Sequence, residues 1–109
     1  MKRSGTIDVK NFIEAHCALS TGGIRRVNEL IGGWRVTALL GRGGNGEVYR
    51  VVRSETGEAA ALKISSKKHL SARRIVKEAD FLESGRCPYF PRLIERGEHQ
   101  GLPYFVMEL

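Results

Sequence analysis

Two charged residues of this chain stand where apolar ones would be expected. Lys63 lies inside the β-prone run Glu58-Ala59-Ala60-Ala61-Leu62-Lys63-Ile64, and Glu78 lies on the apolar side of the helical pattern that follows. Either charge, buried alone, would be strongly unfavourable, so each requires a partner, and a lysine–glutamate pair supplies both. A lysine held in that way presents an ammonium that can hold a phosphate. Upstream of it runs Leu40-Gly41-Arg42-Gly43-Gly44-Asn45-Gly46-Glu47-Val48-Tyr49, whose Gly41, Gly43 and Gly46 follow a G-x-G-x-x-G spacing. Glycine-rich backbone with exposed amides suits a phosphate as well. Taken singly, Lys63 could snorkel from a strand edge and Glu78 could face solvent. With the glycine stretch before them, the three features converge on phosphate handling.

The glycine spacing alone also fits a dinucleotide-binding turn, but that turn requires a helix directly after the last glycine. Here Glu47-Val48-Tyr49-Arg50-Val51-Val52 predicts a strand, and Trp34 to Leu40 predicts another before the loop. The stretch therefore reads as a hairpin that covers a phosphate. A Ser54-Glu55-Thr56-Gly57 turn leads to a third strand over 58–64, although its alanines alone would also permit helix. Alternation puts Ala59, Ala61 and Lys63 on one face and Ala60, Leu62 and Ile64 on the other. The small Ala61 beside Lys63 leaves room for a flat ring.

Past a basic connector, Ser71 is placed to cap a helix over 72–84 that Gly85 ends, with Leu70 and Ile75 spaced as a hydrophobic staple. At about 100° per residue Ile75, Ala79 and Leu82 share a face, Phe81 widens it, and Glu78 falls within that arc. Pro88 and Pro91 bracket an irregular link. Two further strands follow, over 92–97 and 103–109, around the turn Glu98-His99-Gln100-Gly101. Before Trp34, residues 7–20 and 24–31 carry short helical patterns stopped by Gly22-Gly23 and Gly32-Gly33. They read as an N-terminal helical appendage, or as a leader that packs only at Phe12 and Ile13.

A chain of 109 residues with 41% hydrophobic content builds one modest core. No apolar run approaches the length of a membrane span, and the chain reads as cytoplasmic. Its net charge of +6 gathers in Arg25-Arg26, Lys67-Lys68-His69 and Arg73-Arg74, without interleaved aromatics for base stacking. That pattern reads as a solvated basic face, with no nucleic-acid partner expected and nucleic-acid binding kept only as the minor alternative. Cys17 and Cys87 form no C-x-x-C, and His16, His69 and His99 complete no zinc spacing with them, so no metal site is expected. Neither a Ser/His/Asp nor a Cys/His nucleophile is suggested.

From Trp34 to Leu109 the sequence resembles the amino-terminal lobe of the eukaryotic-like (Hanks-type) protein kinases. Gly41-x-Gly43-x-x-Gly46-x-Val48 matches their glycine-rich loop, Ala61-Leu62-Lys63 their phosphate-lysine strand, and Glu78 the glutamate of their C-helix. The loop wording is especially similar to bacterial serine/threonine kinases. Pro103-Tyr104-Phe105-Val106-Met107-Glu108-Leu109 resembles the fifth strand running into the interlobe hinge. The resemblance implies an α+β fold, a five-stranded antiparallel sheet with one C-helix, over 34–109, with residues 1–33 a helical extension outside it.

It also implies an ATP site. Gly41, Arg42, Gly43, Gly44, Asn45 and Gly46 would form the loop over the phosphates, while Leu40, Val48 and Ala61 would contact the adenine. Lys63 would hold the α- and β-phosphates and Glu78 would orient it. Met107 falls at the gatekeeper position, the Glu108 carbonyl would accept from the adenine amino group, and Leu82 and Leu93 match two members of the regulatory spine. Asn45 departs from the aromatic or methionine common at the loop tip. The catalytic-loop Asp and Asn, and the Asp-Phe-Gly motif that binds Mg²⁺, have no match before Leu109. The implied parent is a serine/threonine kinase cut at the hinge, its protein substrate read by the carboxy-terminal lobe. The 109 residues alone are then expected to be inactive, to bind nucleotide weakly, and to self-associate or swap strands through the uncovered sheet. The alternative is a stand-alone kinase-like module that docks a partner protein without phosphotransfer.

Overall fold

The structure is a computed structural model, and it describes residues 26–67 and 69–109. The helical pattern expected over 7–20 lies outside the described residues. Among the described residues, six strands and one helix follow in the order β1 (Leu30–Ile31), β2 (Trp34–Arg42), β3 (Gly46–Arg53), β4 (Ala59–Ser65), α1 (Leu70–Ser84), β5 (Leu93–His99) and β6 (Leu102–Met107). The strands form one antiparallel sheet ordered β1-β2-β3-β4-β6-β5.

The additional strand, β1, corrects two expectations: the sheet has six strands instead of five, and the helical extension is not supported. Gly32 and Gly33 adopt φ +57° and +86°, and Ile31 pairs with Trp34 directly across them. Two consecutive residues at positive φ make a tight hairpin turn whose twist suits the flanking strands. The glycine pair that reads as a helix stop is therefore the bend of a hairpin.

The central strand β4 sends Ala60, Leu62 and Ile64 into the larger core with Trp34, Val36, Leu39, Tyr49, Val51 and Val106. Removing each large aliphatic side chain from water is worth about 1.5–3 kcal/mol, so this face fixes the register of the meander. The sheet curls until its ends meet. His99 at the end of β5 lies 2.7 Å from the carboxylate of Glu29, and the Arg53 guanidinium stacks 4.2 Å above the buried Trp34 ring. Tyr104 reaches across Gly97 to the β1–β2 turn, where a Cβ on Gly32 would fall 2.0 Å from its hydroxyl. Glycine at 32 thus serves both the turn and this closure.

Helix α1 packs on the opposite face. Its buried residues, Ile75 and Ala79, rest on Phe105, with Leu82, Leu93 and Met107 alongside. Gly85 ends it in the left-handed conformation at φ +66°, its N–H donating to the Leu82 carbonyl. The start differs from expectation. The helix begins at Leu70, with His69 at φ +68° in the cap position and no side chain among the described residues capping it. Ser71 is already inside the first turn, and Leu70 is 59% exposed, so no staple with Ile75 forms. Where the chain leaves β4, the Ser65 hydroxyl donates to the Lys67 carbonyl, and the positive φ of His69 turns the chain directly before Leu70. No helix among the described residues is long and apolar enough to cross a membrane.

Candidate functional site

Lys63 faces away from Leu62 and Ile64, opposite Val48 on β3 and Phe105 on β6. Phe105 is the ring on which α1 rests, so the helix carries Glu78 over the same patch. The Lys63 ammonium donates to Glu78 Oε1 at 2.9 Å. The side chains are 23% and 43% exposed, which revises the expectation of two buried charges. A pair this open contributes at most about 1 kcal/mol to folding. What the pair does is fix the ammonium in one place.

Above it, β2 and β3 meet in the glycine loop. Register shifts in β2, between Val36 and Ala38 and between Leu39 and Gly41, bend the strand just before the loop. The Gly43 N–H donates to the Gly46 carbonyl at 2.9 Å, closing the turn. At the tip, the Asn45 carbonyl accepts from the Ser66 N–H at 3.1 Å, and its side-chain oxygen accepts from Arg74 at 3.3 Å. Arg42 is engaged with Glu47 at 3.3 Å, and the same carboxylate accepts the Tyr49 hydroxyl at 2.5 Å and lies 3.5 Å from Arg26. Burial, then the bond to Glu47, pushes the Tyr49 hydroxyl well above the usual tyrosine range.

The glycines of this loop divide into two kinds. A Cβ on Gly46 would lie 2.2 Å from the Ile64 carbonyl oxygen, so the close approach of β3 to β4 demands glycine there. Around Gly41, Gly43 and Gly44 a Cβ would meet no described atom within 4 Å, and none of the three has positive φ. Neither chain geometry nor packing within the described structure requires glycine at these positions. They line a cleft of about 290 Å³ with Arg42, Asn45, Gly46, Val48 and Lys63. Backbone unobstructed by side chains, facing an oriented ammonium, is suited to close contact with an anionic group such as a phosphate.

The other expected residues sit on the same side of the sheet or at its margin, outside that cleft. Ala61 lies two residues from Lys63, opposite Met107, and is only 4% exposed. Leu40 is half-buried beside the β2 irregularity. Glu108 is exposed; its N–H donates to the Arg92 carbonyl and its carboxylate pairs with the Arg92 guanidinium at 3.3 Å. Leu82 and Leu93 pack with Met107 around Phe105. Sequence reasoning missed the Asn45–Arg74 and Arg96–Asp80/Glu83 contacts. The i, i+3 spacing of Asp80 and Glu83, which puts both on one helix face, was the available signal for the second.

No family model matches the sequence. The chain is 33% identical over 72 residues to a probable casein kinase I homolog of Encephalitozoon cuniculi, a match covering 64% of this chain and 23% of that protein. It is 28% identical over 112 aligned positions to a probable serine/threonine-protein kinase of Dictyostelium discoideum, covering 99% of this chain and 20% of that one. It thus spans about a fifth of the length of these relatives. Among solved structures it is similar to the PknI kinase domain of Mycobacterium tuberculosis. Two crystal structures of that domain, one of them of a point mutant, both give a TM-score of 0.59 at 25% identity, covering 76% of this chain and 35% of theirs. Similarity runs to eukaryotic and bacterial kinases alike. With its curled antiparallel sheet, the helix α1 laid across it and the Lys63–Glu78 pair between them, the chain has the fold of a protein kinase amino-terminal lobe.

Proposed function

We propose that this chain is the ATP-binding amino-terminal lobe of a cytoplasmic serine/threonine kinase that transfers the γ-phosphate of ATP to protein hydroxyls. The observation that carries the reading is the set of three glycines, Gly41, Gly43 and Gly44, which the free structure does not require and which face the oriented Lys63 ammonium. In this reading their amides and Lys63 hold the phosphates, and Glu78 keeps Lys63 from swinging away. Leu40, Val48 and Ala61 cover the adenine, Met107 borders it, and the Glu108 carbonyl accepts from its amino group. Mg²⁺ would neutralise phosphate charge, and the sequence from Trp34 to Leu109 offers no match to the motifs that bind it in the family. The 109 residues alone therefore bind ATP weakly and do not transfer phosphate. Tyr89, Phe90 and Phe81 are exposed, which supports self-association of this lobe in isolation.

The test is an ATP titration followed by the backbone amide resonances of the 109-residue chain. Shifts concentrated at Gly41, Gly43, Gly44 and Val48, approaching saturation only at high micromolar to millimolar ATP and lost in Lys63→Met, are expected. No response at millimolar ATP would refute nucleotide binding by this chain and favour a kinase-like interaction module. Saturation at low micromolar ATP would show that the roof of the site is sufficient by itself.

A further inference from the structure

Helix α1 is held to the sheet by a narrow apolar stripe, Ile75 and Ala79 on Phe105. With Leu82 alongside, these form a single line of contacts along the helix, which fixes its height above the sheet but restrains its roll about its own axis poorly. Glu78 reaches Lys63 only if that roll is right. On the far side of the stripe stands Arg96 of β5. Its Nη1 donates to Asp80 Oδ1 at 2.8 Å and to Glu83 Oε1 at 2.7 Å, and its Nη2 donates to the Val76 carbonyl at 3.3 Å. Val76, Asp80 and Glu83 form one line along the helix, spaced four and then three residues apart.

The register shows how these contacts are related. Lys63 on β4 pairs with Phe105 on β6, and Phe105 pairs with Arg96 on β5. One rung of the sheet therefore carries a cation, a phenyl ring and a second cation, all on the face that α1 covers. The helix straddles the rung: Glu78 meets the first cation, Ile75 and Ala79 rest on the ring, and Asp80 and Glu83 meet the second. The two carboxylates holding Arg96 are each 63% exposed, so the clamp adds little to folding stability. Its effect is directional, since the planar fork of arginine fixes angles that a point charge does not.

We infer that Arg96 is a positioning residue for the cleft, setting the roll of α1 through Val76, Asp80 and Glu83 so that Glu78 engages Lys63. The inference rests on the reading of Lys63 as the phosphate-holding group, but the clamp itself is observable without nucleotide.

The experiment uses the 109-residue chain and the side-chain Cε–Hε resonances of Lys63, with Glu78→Gln defining the shift that the ion pair produces. Arg96→Met and, separately, Asp80→Asn combined with Glu83→Gln are expected to lose most of that shift while the chain stays folded. Arg96→Lys is expected to restore only part of it. In the Glu78→Gln background, Arg96→Met should cause no further change. Retention of the full shift in both the Arg96→Met and the Asp80→Asn/Glu83→Gln chains would overturn the inference. So would effects of Arg96→Met and Glu78→Gln that simply add. Should Arg96→Met fail to fold, the carboxylate variant decides alone. A parallel ATP titration separates the two claims: loss of the Lys63 shift with an unchanged ATP response upholds the clamp and refutes the role given to the ion pair in nucleotide binding.

Discussion

Two alanine substitutions three residues apart in the same loop should have opposite consequences. At Gly46 the added methyl would lie 2.2 Å from the Ile64 carbonyl oxygen and 3.3 Å from Ser65 Cα, both backbone atoms of the neighbouring strand. Neither can rotate aside, so β3 and β4 must part by about 1 Å where Gly46 pairs with Ser65. Overpacking of this kind costs about 1–3 kcal/mol, and a loss of about 2 kcal/mol lowers Tm by roughly 8–16 °C for a domain of this size. At Gly43 no described atom lies within 4 Å and φ is not positive, so alanine is accommodated. It removes freedom from the unfolded chain, a gain of about 0.4–1 kcal/mol that raises Tm by a few degrees. Thermal unfolding followed by circular dichroism reads both, and an ATP titration of each folded variant reads the second effect. Gly43→Ala should weaken ATP binding while leaving the fold intact. If Gly43→Ala destabilised the chain as much as Gly46→Ala, glycine at 43 would be structural and the argument for a ligand-facing backbone would fail.

Other outcomes follow from the same geometry. Glu78→Gln should change unfolding free energy by less than about 1 kcal/mol, because the pair is partly solvated, yet diminish the ATP response at Gly43; a large loss of stability with no change in that response would make the pair purely structural. The raised Tyr49 hydroxyl predicts alkaline sensitivity with a definite sign. Above pH about 10 the unfolded tyrosine releases its proton while the folded one keeps it, so stability falls by up to about 1.4 kcal/mol per pH unit. Tyr104, raised in the same direction by burial, adds to this slope, so Tyr49→Phe should reduce but not abolish it in urea unfolding; an unchanged slope would count against the Tyr49 assignment. Gly85→Ala, at φ +66°, should cost about 1 kcal/mol through the helix terminus, and an unaltered melting temperature would contradict that cap.

Much of this lobe is written in local patterns. The meander, the helix end at Gly85 and the opposite faces of Leu62 and Lys63 follow from periodicity and glycine placement, which act over a few residues. The ion pair was legible because two charges were each out of place in their own element, and pairing resolves both. The strand β1 was not legible. Gly32-Gly33 after a mixed apolar and charged run looks the same whether it stops a helix or bends a hairpin, and only pairing with β2 chooses. Nor was the helix start: His69 at φ +68° turns the chain immediately before Leu70, so Ser71 falls inside the first turn instead of at the cap.

The sequence by itself thus marked the glycines and Lys63 as the groups suited to a phosphate, and Glu78 as the partner that orients the lysine. The tertiary structure decided how they are held. Inserting β6 between β4 and β5 sets the β5–β6 hairpin pair of Arg96 and Phe105 beside Lys63, which lies far earlier in the chain, and that strand order gives α1 a cation on each side. It also separated the glycine that the fold requires, Gly46 against the Ile64 carbonyl, from those that the fold leaves free. That distinction depends on the distance between two strands, a quantity no pattern of residue types contains.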